Sequence, residues 1–203
     1  AAELSYFGAK ILHPRTVEPL VGMETAIFMR NLLDPASPGT EIAVQAEARE
    51  DVIKSVTSNQ KIAVLRIHGP GVGFKPGIIG LIGDRLSSNG VNIFSILTSQ
   101  TCINLLVDKE DAPRGLKALA DLRGGVIERI DLEDELALIA VVGEGLRHTQ
   151  GIAARVFSAV SRENVNVHMI SSGASEVAYY FIVGREDTEK TVRSIHREFF
   201  PES

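Results

Sequence analysis

Residues Gly69–Ile96 read GPGVGFKPGIIGLIGDRLSSNGVNIFSI. From Gly77 onward this stretch lies without a gap over Gly151–Ile170, GIAARVFSAVSRENVNVHMI. Val91-Asn92-Ile93 falls on Val165-Asn166-Val167, a shift of 74 residues. A repeat of that length is a small domain rather than a solenoid unit. Each copy opens with an apolar strand, IAVLRIHG from Ile62 and LALIAVVGEG from Leu136, followed by a glycine-bearing turn. A helix then carries apolar residues three and four apart: Ile78, Ile79, Ile82 and Leu86 in the first copy, Ile152, Val156, Phe157 and Val160 in the second. SSNG and SREN supply the Gly or Asn expected near a helix C-terminus.

Two strands follow in each copy, VNIFSILTS then TCINLLVD, and VNVHMISS then EVAYYFIVG. A second helix closes each, over DAPRGLKALADL and DTEKTVRSIHREFF, with Asp111 and Asp187 as expected N-caps. The first copy gains a last strand at GGVIERIDL. The class is therefore α+β: two ferredoxin-like βαββαβ units in tandem, each an antiparallel sheet with both helices on one face. The bare sheet faces must be covered by each other, or the sheets must join edge to edge. The first 60 residues do not repeat. They predict a helix entered at Ser5 and broken by Pro14, a second short helix, a strand at TAIFMRNL, a turn at DPASPGT and a further strand at EIAVQAE. So small a set builds no good core alone and reads as the tail of a larger domain.

Bulk properties narrow the function. The chain has 203 residues, 44% of them apolar, enough for a packed core. A net charge of -5, 5% aromatics and no Trp argue against a nucleic-acid surface. One cysteine, Cys102, excludes a disulfide framework and fits a cytoplasmic setting. No apolar run is long enough to span a membrane, and no signal peptide is visible. The start Ala1-Ala2-Glu3, without Met, is that expected of an excised piece.

The turns Gly69–Gly73 and Gly143-Glu144-Gly145 sit between strand and helix, as in a dinucleotide fingerprint. Phe74 and His148 stand where its last glycine belongs, and two consecutive strands follow each helix where a Rossmann crossover would not place them. A tight turn needing positive φ explains the glycines. The sharper reading is a free amino acid, whose α-carboxylate suits the N–H groups and partial positive charge of a helix N-terminus. The expected effector-binding set in the first copy is Lys75, Pro76, Gly77 and Ile78 at the helix start, with Pro76 in its first turn, then Asn92, Ile93, Phe94 and Ser95, whose carbonyls would take the ammonium, and Thr98, Ser99 and Gln100. The matching places in the second copy, Gln150, Gly151, Ile152, Asn166, Val167 and His168, together with Thr149, form a second candidate site. The alternative is that Asn92 and Thr98 merely cap turns. No catalytic residues and no metal site are expected: His68, His148, His168 and His196 are scattered without ligand spacing, and Cys102 reads as buried filler. Phe199-Phe200 is expected to close a core edge.

SYFGAKILHPRTVEPL closely resembles the block near the C-terminal end of the catalytic domain of aspartokinases, and NLLDPASPGTEI resembles the segment that follows it there. The two repeats resemble the tandem ACT domains of that family, GIAARVFSAVSRENVNVHMISSGASEV most closely. The resemblance covers essentially the whole chain. It implies residues 1–47 as the tail of the kinase domain, 61–133 as the first ACT domain, and 50–60 plus 134–203 as the second. The first is inserted into the second, whose missing strand is supplied by VIKSVTSNQ from Val52. It implies a homodimer through ACT domains, effector sites at their interface, a kinase domain as partner, and Glu47–Thr57 as the coupling linker. It also implies control of ATP-dependent phosphorylation of L-aspartate by an end product.

The family's N-terminal Lys-Phe-Gly-Gly-Thr segment and its main catalytic contacts are missing, so no cofactor is expected in this chain; ATP and Mg belong to the parent enzyme, and the chain alone should be inactive. Lysine-sensitive relatives tend to place an acid just after Val-Asn-Ile, where Phe94 and His168 stand here. No Asp or Glu lies in 92–99 or 166–173, so threonine is expected over lysine, whose desolvated ammonium needs a carboxylate. His13-Pro14-Arg15 reads as a helix end with a structural His, and Leu33 stands where the family often has Lys or an aromatic residue. A free-standing amino-acid sensor or regulatory subunit is the alternative.

Overall fold

The computed structural model describes residues 1–9, 12, 16, 19, 23, 25–42, 52–125, 127–146 and 148–200. The expectations for His13-Pro14-Arg15, the second N-terminal helix as a whole, the strand beyond Ile42 and the linker over 47–51 lie outside these residues.

Each repeat folds into one sheet backed by two helices. In the first, β4 (Ile62–His68), β5 (Ile93–Thr98), β6 (Cys102–Asp108) and β7 (Arg129–Glu133) take the order β5-β6-β4-β7, every neighbouring pair antiparallel. Helix α2 (Ile78–Ser88) connects β4 to β5, and α3 (Ala112–Ala118) with a 3-10 turn at Ala120–Leu122 connects β6 to β7. Alternation along β4 sends Ala63, Leu65 and Ile67 towards the helices and Ile62 and Val64 the other way. Helix α2 buries Ile78, Ile82 and Leu86 one above another; Ile79, expected on this face, is 44% exposed. Gly115 in α3 lies against Leu65 and Leu86, where an added Cβ would meet the Leu65 side chain at 3.1 Å.

The second repeat uses β8 (Leu136–Gly143), α4 (Ile152–Arg162), β9 (Val167–Ser171), β10 (Ala178–Gly184) and α5 (Thr188–Phe199). Its fourth strand is β3 (Ile53–Asn59), which precedes the first repeat and pairs antiparallel with β8, giving β3-β8-β10-β9. The first unit is thus inserted between this strand and the rest of its sheet. The reason is visible in β8: every residue is buried, so without β3 an apolar strand would lie open at the sheet edge.

The bare faces cover each other. Ile62, Val64 and Leu106 of the first sheet share a core with Leu136, Leu138, Ala140, Met169, Tyr180 and Ile182 of the second. Phe7, the residue after α1 (Ala2–Tyr6), joins that core, and Gly8 follows it at φ 102. The helix expected from Ser5 to Pro14 is therefore shorter and starts earlier. The hairpin β1 (Ile27–Met29) and β2 (Thr40–Ile42) stands as a two-stranded sheet with Phe28 exposed.

The repeat also sets backbone conformation. Gly71, Gly77 and Gly90 have positive φ, and so do Gly145, Gly151 and Asn164 at the same shift of 74 residues. The glycine-bearing turns thus carry the conformation expected of them. Asp111 and Asp187 occupy the N-cap positions of α3 and α5, but neither side chain caps. Each carboxylate instead pairs with a cation three residues on, Arg114 and Lys190, which competes for the same oxygens.

Candidate functional site

The loop leaving β4 is pressed onto the β5–β6 hairpin. Gly69 donates its N–H to the Thr101 carbonyl (3.1 Å) and Gly73 donates to that of Gln100 (3.4 Å). A Cβ on Gly73 would fall 1.8 Å from the Ser99 carbonyl oxygen, so only glycine lets the two backbones meet. The loop then reaches α2 through Gly77, its N-cap, at φ 86. No side chain caps this helix, leaving its first-turn N–H groups to other acceptors. Pro76 precedes the N-cap and lies outside the helix rather than in its first turn. Lys75 is exposed and has no ion-pair partner among the described residues.

Lys75, Pro76, Gly77 and Ile78 therefore share one end of the unit with Thr98, Ser99 and Gln100. Asn92 and Ile93 do not. Strands β4 and β5 are both antiparallel to β6, so they run in the same direction, and α2 starts where β4 ends while β5 starts at the far end. Six strand residues separate these ends by about 20 Å. Ile93 packs against the helix-side core. Phe94 sits in a bulge between Ile93 and Ser95, turns its ring into the core between the sheets, and accepts a hydrogen bond on its carbonyl from the Tyr6 hydroxyl (3.3 Å).

The second unit repeats the split. Gln150 and Ile152 line a cavity of about 280 Å³ at the start of α4, with Val52, Ile53, Thr149, Arg155 and Phe199. Gly151 is the N-cap at φ 82, again with no side-chain cap. Asn166, Val167 and His168 lie at the far end, His168 inside the matching bulge. This loop is more self-contained: the Thr149 hydroxyl donates to the Gly145 carbonyl (3.1 Å), and Glu144 pairs with Lys54 of β3 (2.8 Å). Arg155 stacks 4.3 Å over the Phe199 ring and binds Glu198, which also takes Arg162. These hydrogen bonds hold the Glu198 carboxyl below the ordinary carboxylate range.

Two features escaped sequence reasoning. One is the seam where Tyr6, Phe7, Phe94 and Tyr180 pack, with ring centroids 5.2 to 6.1 Å apart along Tyr6–Phe94, Tyr6–Phe7 and Phe7–Tyr180. The space left there, about 10 Å³, admits at most one water. The other is the uncovered part of the first sheet's bare face, where Arg66 pairs with Glu133 (2.6 Å) and His68 and Arg129 both approach Asp131 (3.2 and 2.8 Å). Cys102 lies beside this cluster, half-buried, with burial pushing its thiol up, which disfavours a nucleophilic thiolate. Among the described residues, no three His, Cys, Asp or Glu side chains converge as a metal site would require, and no helix is long and apolar enough to cross a membrane. β4 and β5 run in the same direction but antiparallel β6 lies between them, so the glycine turn opens a split crossover and not the adjacent parallel βαβ unit that a dinucleotide fingerprint needs.

Residues 57–121 and 139–199 each match an ACT domain model. The chain belongs to the ACT-domain family. Over 207 residues it is 30% identical to a bifunctional aspartokinase/homoserine dehydrogenase of Haemophilus influenzae, covering 98% of this chain and 25% of that protein. It superposes on Clostridium acetobutylicum aspartate kinase with a TM-score of 0.88 and 28% identity, over 97% of this chain and 46% of that one. Against E. coli aspartokinase III in complex with lysine and aspartate the TM-score is 0.79 and the identity 27%, over 98% and 44% of the two chains. Its paired ACT domains are homologous to the regulatory C-terminal region of aspartokinases. The chain spans about a quarter of the length of the curated relatives it matches.

Proposed function

We propose that this region senses an end-product amino acid and thereby controls the phosphorylation of L-aspartate by ATP in a kinase domain to which it is joined. The observation that carries the reading is the twice-built helix start. Gly77 and Gly151 both present an uncapped helix N-terminus, a ready partner for a free carboxylate, in a chain homologous to aspartokinase regulatory regions. Residues 1–47 are read as the tail of the kinase domain, 61–133 as one ACT domain, and 50–60 with 134–203 as the other. The chain is cytoplasmic in this reading.

The separation of about 20 Å between the two ends of the unit decides how such a site is completed. One small amino acid cannot touch both within one unit. The Lys75–Ile78 and Thr98–Gln100 end of one ACT domain would meet the Asn92–Ser95 end of another, as in a homodimer whose two units lie side by side. Threonine fits the site better than lysine, because 92–100 holds no carboxylate to neutralise a desolvated ammonium. ATP and Mg²⁺ belong to the kinase domain in this reading. The chain by itself should form no aspartyl phosphate.

Melting the chain against a panel of free amino acids tests the reading. Threonine should raise the melting temperature in a concentration-dependent way, by RT ln(1 + [L]/Kd) of added stability. A site shared between two chains should lose affinity as the chain is diluted to monomer, which calorimetry at several protein concentrations measures. Tight lysine binding with silence for threonine would refute the specificity, and silence for every amino acid would refute the sensing role. Turnover of aspartate and ATP by the isolated chain would refute the assignment of its missing catalytic parts.

A further inference from the structure

Tyr6 spans the two parts of the molecule that the sensing role needs to connect. It ends α1, in the N-terminal segment, and its hydroxyl donates to the carbonyl of Phe94 in β5, 88 residues away. Its ring stands edge-on to Phe94 (6.1 Å) and Phe7 (5.2 Å), and Phe7 packs on Tyr180 of the second sheet. Phe7, at the end of α1, is 6% exposed and anchors the helix in the seam, while Tyr6 beside it stays 49% exposed at the seam's edge. The contact on β5 falls on a bulge, where the regular β5–β6 register is broken between Ile93 and Ser95. Burial pushes the Tyr6 phenol up, which keeps the hydroxyl a donor at neutral pH.

We infer that α1 is a coupling wedge whose Tyr6 competes with the effector for the main-chain carbonyls at the β5 bulge. The inference rests on the amino-acid-sensing reading above, in which Asn92–Ser95 receives the effector's ammonium. An ammonium drawn to that carbonyl row weakens the Tyr6 hydrogen bond and loosens α1 in the seam. The two states are thus wedge-docked with β5 unliganded, and wedge-loosened with β5 liganded. Because coupling is reciprocal, docking of Tyr6 in turn lowers effector affinity. Movement of α1 is carried directly into the N-terminal segment that follows it.

Tyr6→Phe removes the hydroxyl and keeps the ring, so the seam stays packed. A single neutral hydrogen bond sets the scale, and the variant should bind L-threonine about 2- to 10-fold more tightly than the unaltered chain. L-lysine is titrated in parallel, so that a different amino acid can reveal the same coupling. In the unaltered chain, saturating effector should speed amide exchange over residues 3–9, where the N–H groups of Phe7, Gly8 and Ala9 are hydrogen-bonded within α1 and its end. In Tyr6→Phe that increase should vanish. Equal affinity in the two chains, or exchange over residues 3–9 unmoved by a bound effector, overturns the wedge while leaving the sensing role intact. No thermal shift with any amino acid of the panel in the unaltered chain overturns both.

Discussion

Replacing Gly73 by Ala tests the contact that builds the candidate site. Gly73 does not need an unusual φ; its neighbour Gly71 does, at 75. What excludes a side chain at 73 is the Ser99 carbonyl oxygen, 1.8 Å from where the Cβ would stand, with the Ser99 carbonyl carbon at 3.0 Å. Both are backbone atoms, so no rotamer change relieves the clash. The loop must lift away from the hairpin, stretching the Gly73–Gln100 and Gly69–Thr101 hydrogen bonds. Overpacking of this kind costs about 1–3 kcal/mol. For a chain of this size each kcal/mol lowers the melting temperature by about 2–4 °C, so a fall of roughly 2–12 °C is expected. Urea unfolding followed by circular dichroism measures it as a shift in midpoint with an unchanged slope. Gly71→Ala is the control: nothing lies within 4 Å of its Cβ, so its cost is only that of left-handed backbone, about 1–2 kcal/mol, without loss of the loop–hairpin bonds. Amide exchange at Gly73 should therefore quicken only in Gly73→Ala. A Gly73→Ala chain with the midpoint of the parent would show that the loop and the hairpin do not touch as described.

The Tyr179 hydroxyl is buried without a hydrogen-bond partner among the described residues, so Tyr179→Phe should be neutral or stabilising by about 1 kcal/mol in thermal unfolding; a clear loss of stability would mean the hydroxyl is paired. Glu198 has its carboxyl lowered from 4.5, chiefly by the hydrogen bonds from Arg155 and Arg162. Its contribution is then fully present above the ordinary Glu value and lost as pH falls through the lower, folded value. Glu198→Gln should flatten that part of the acid limb in unfolding measured from pH 6 to pH 3, and an unchanged limb would refute the link between α4 and α5. A chain starting at Lys61 lacks β3 and should leave β8 as an open apolar edge. Loss of solubility or concentration-dependent aggregation, read by light scattering, is the expected result, and a monomeric chain with the parent's melting temperature would contradict the inserted topology.

Much of this molecule could be read from local pattern. The shift of 74 residues, the strand–turn–helix order, and the need for left-handed backbone within the glycine turns, met at Gly71 and Gly145, are properties of short stretches. Period and steric allowance act over a few residues, so they survive without knowledge of the fold. The N-caps failed for a local reason too. Asp111 and Asp187 each had a competing cation three residues on, and a charge-assisted pair took oxygens that a cap would have used.

The candidate site was legible only in part, because neighbours along the chain are not neighbours in the fold. Asn92 and Gly77 look close along the chain, yet an intervening helix carries them to opposite ends of the unit, and only the direction of β5 relative to β4 reveals it. The sequence by itself determined the two units and the conformations of their turns, since these follow from alternation, helical period and the missing Cβ of glycine. Tertiary structure alone decided that the sheets meet face to face and that Tyr6 reaches Phe94, while the closure of the second sheet by β3 followed from the family resemblance and not from any local pattern. Those contacts join residues dozens of positions apart, and no local preference of the chain encodes which distant surface a given apolar face will find.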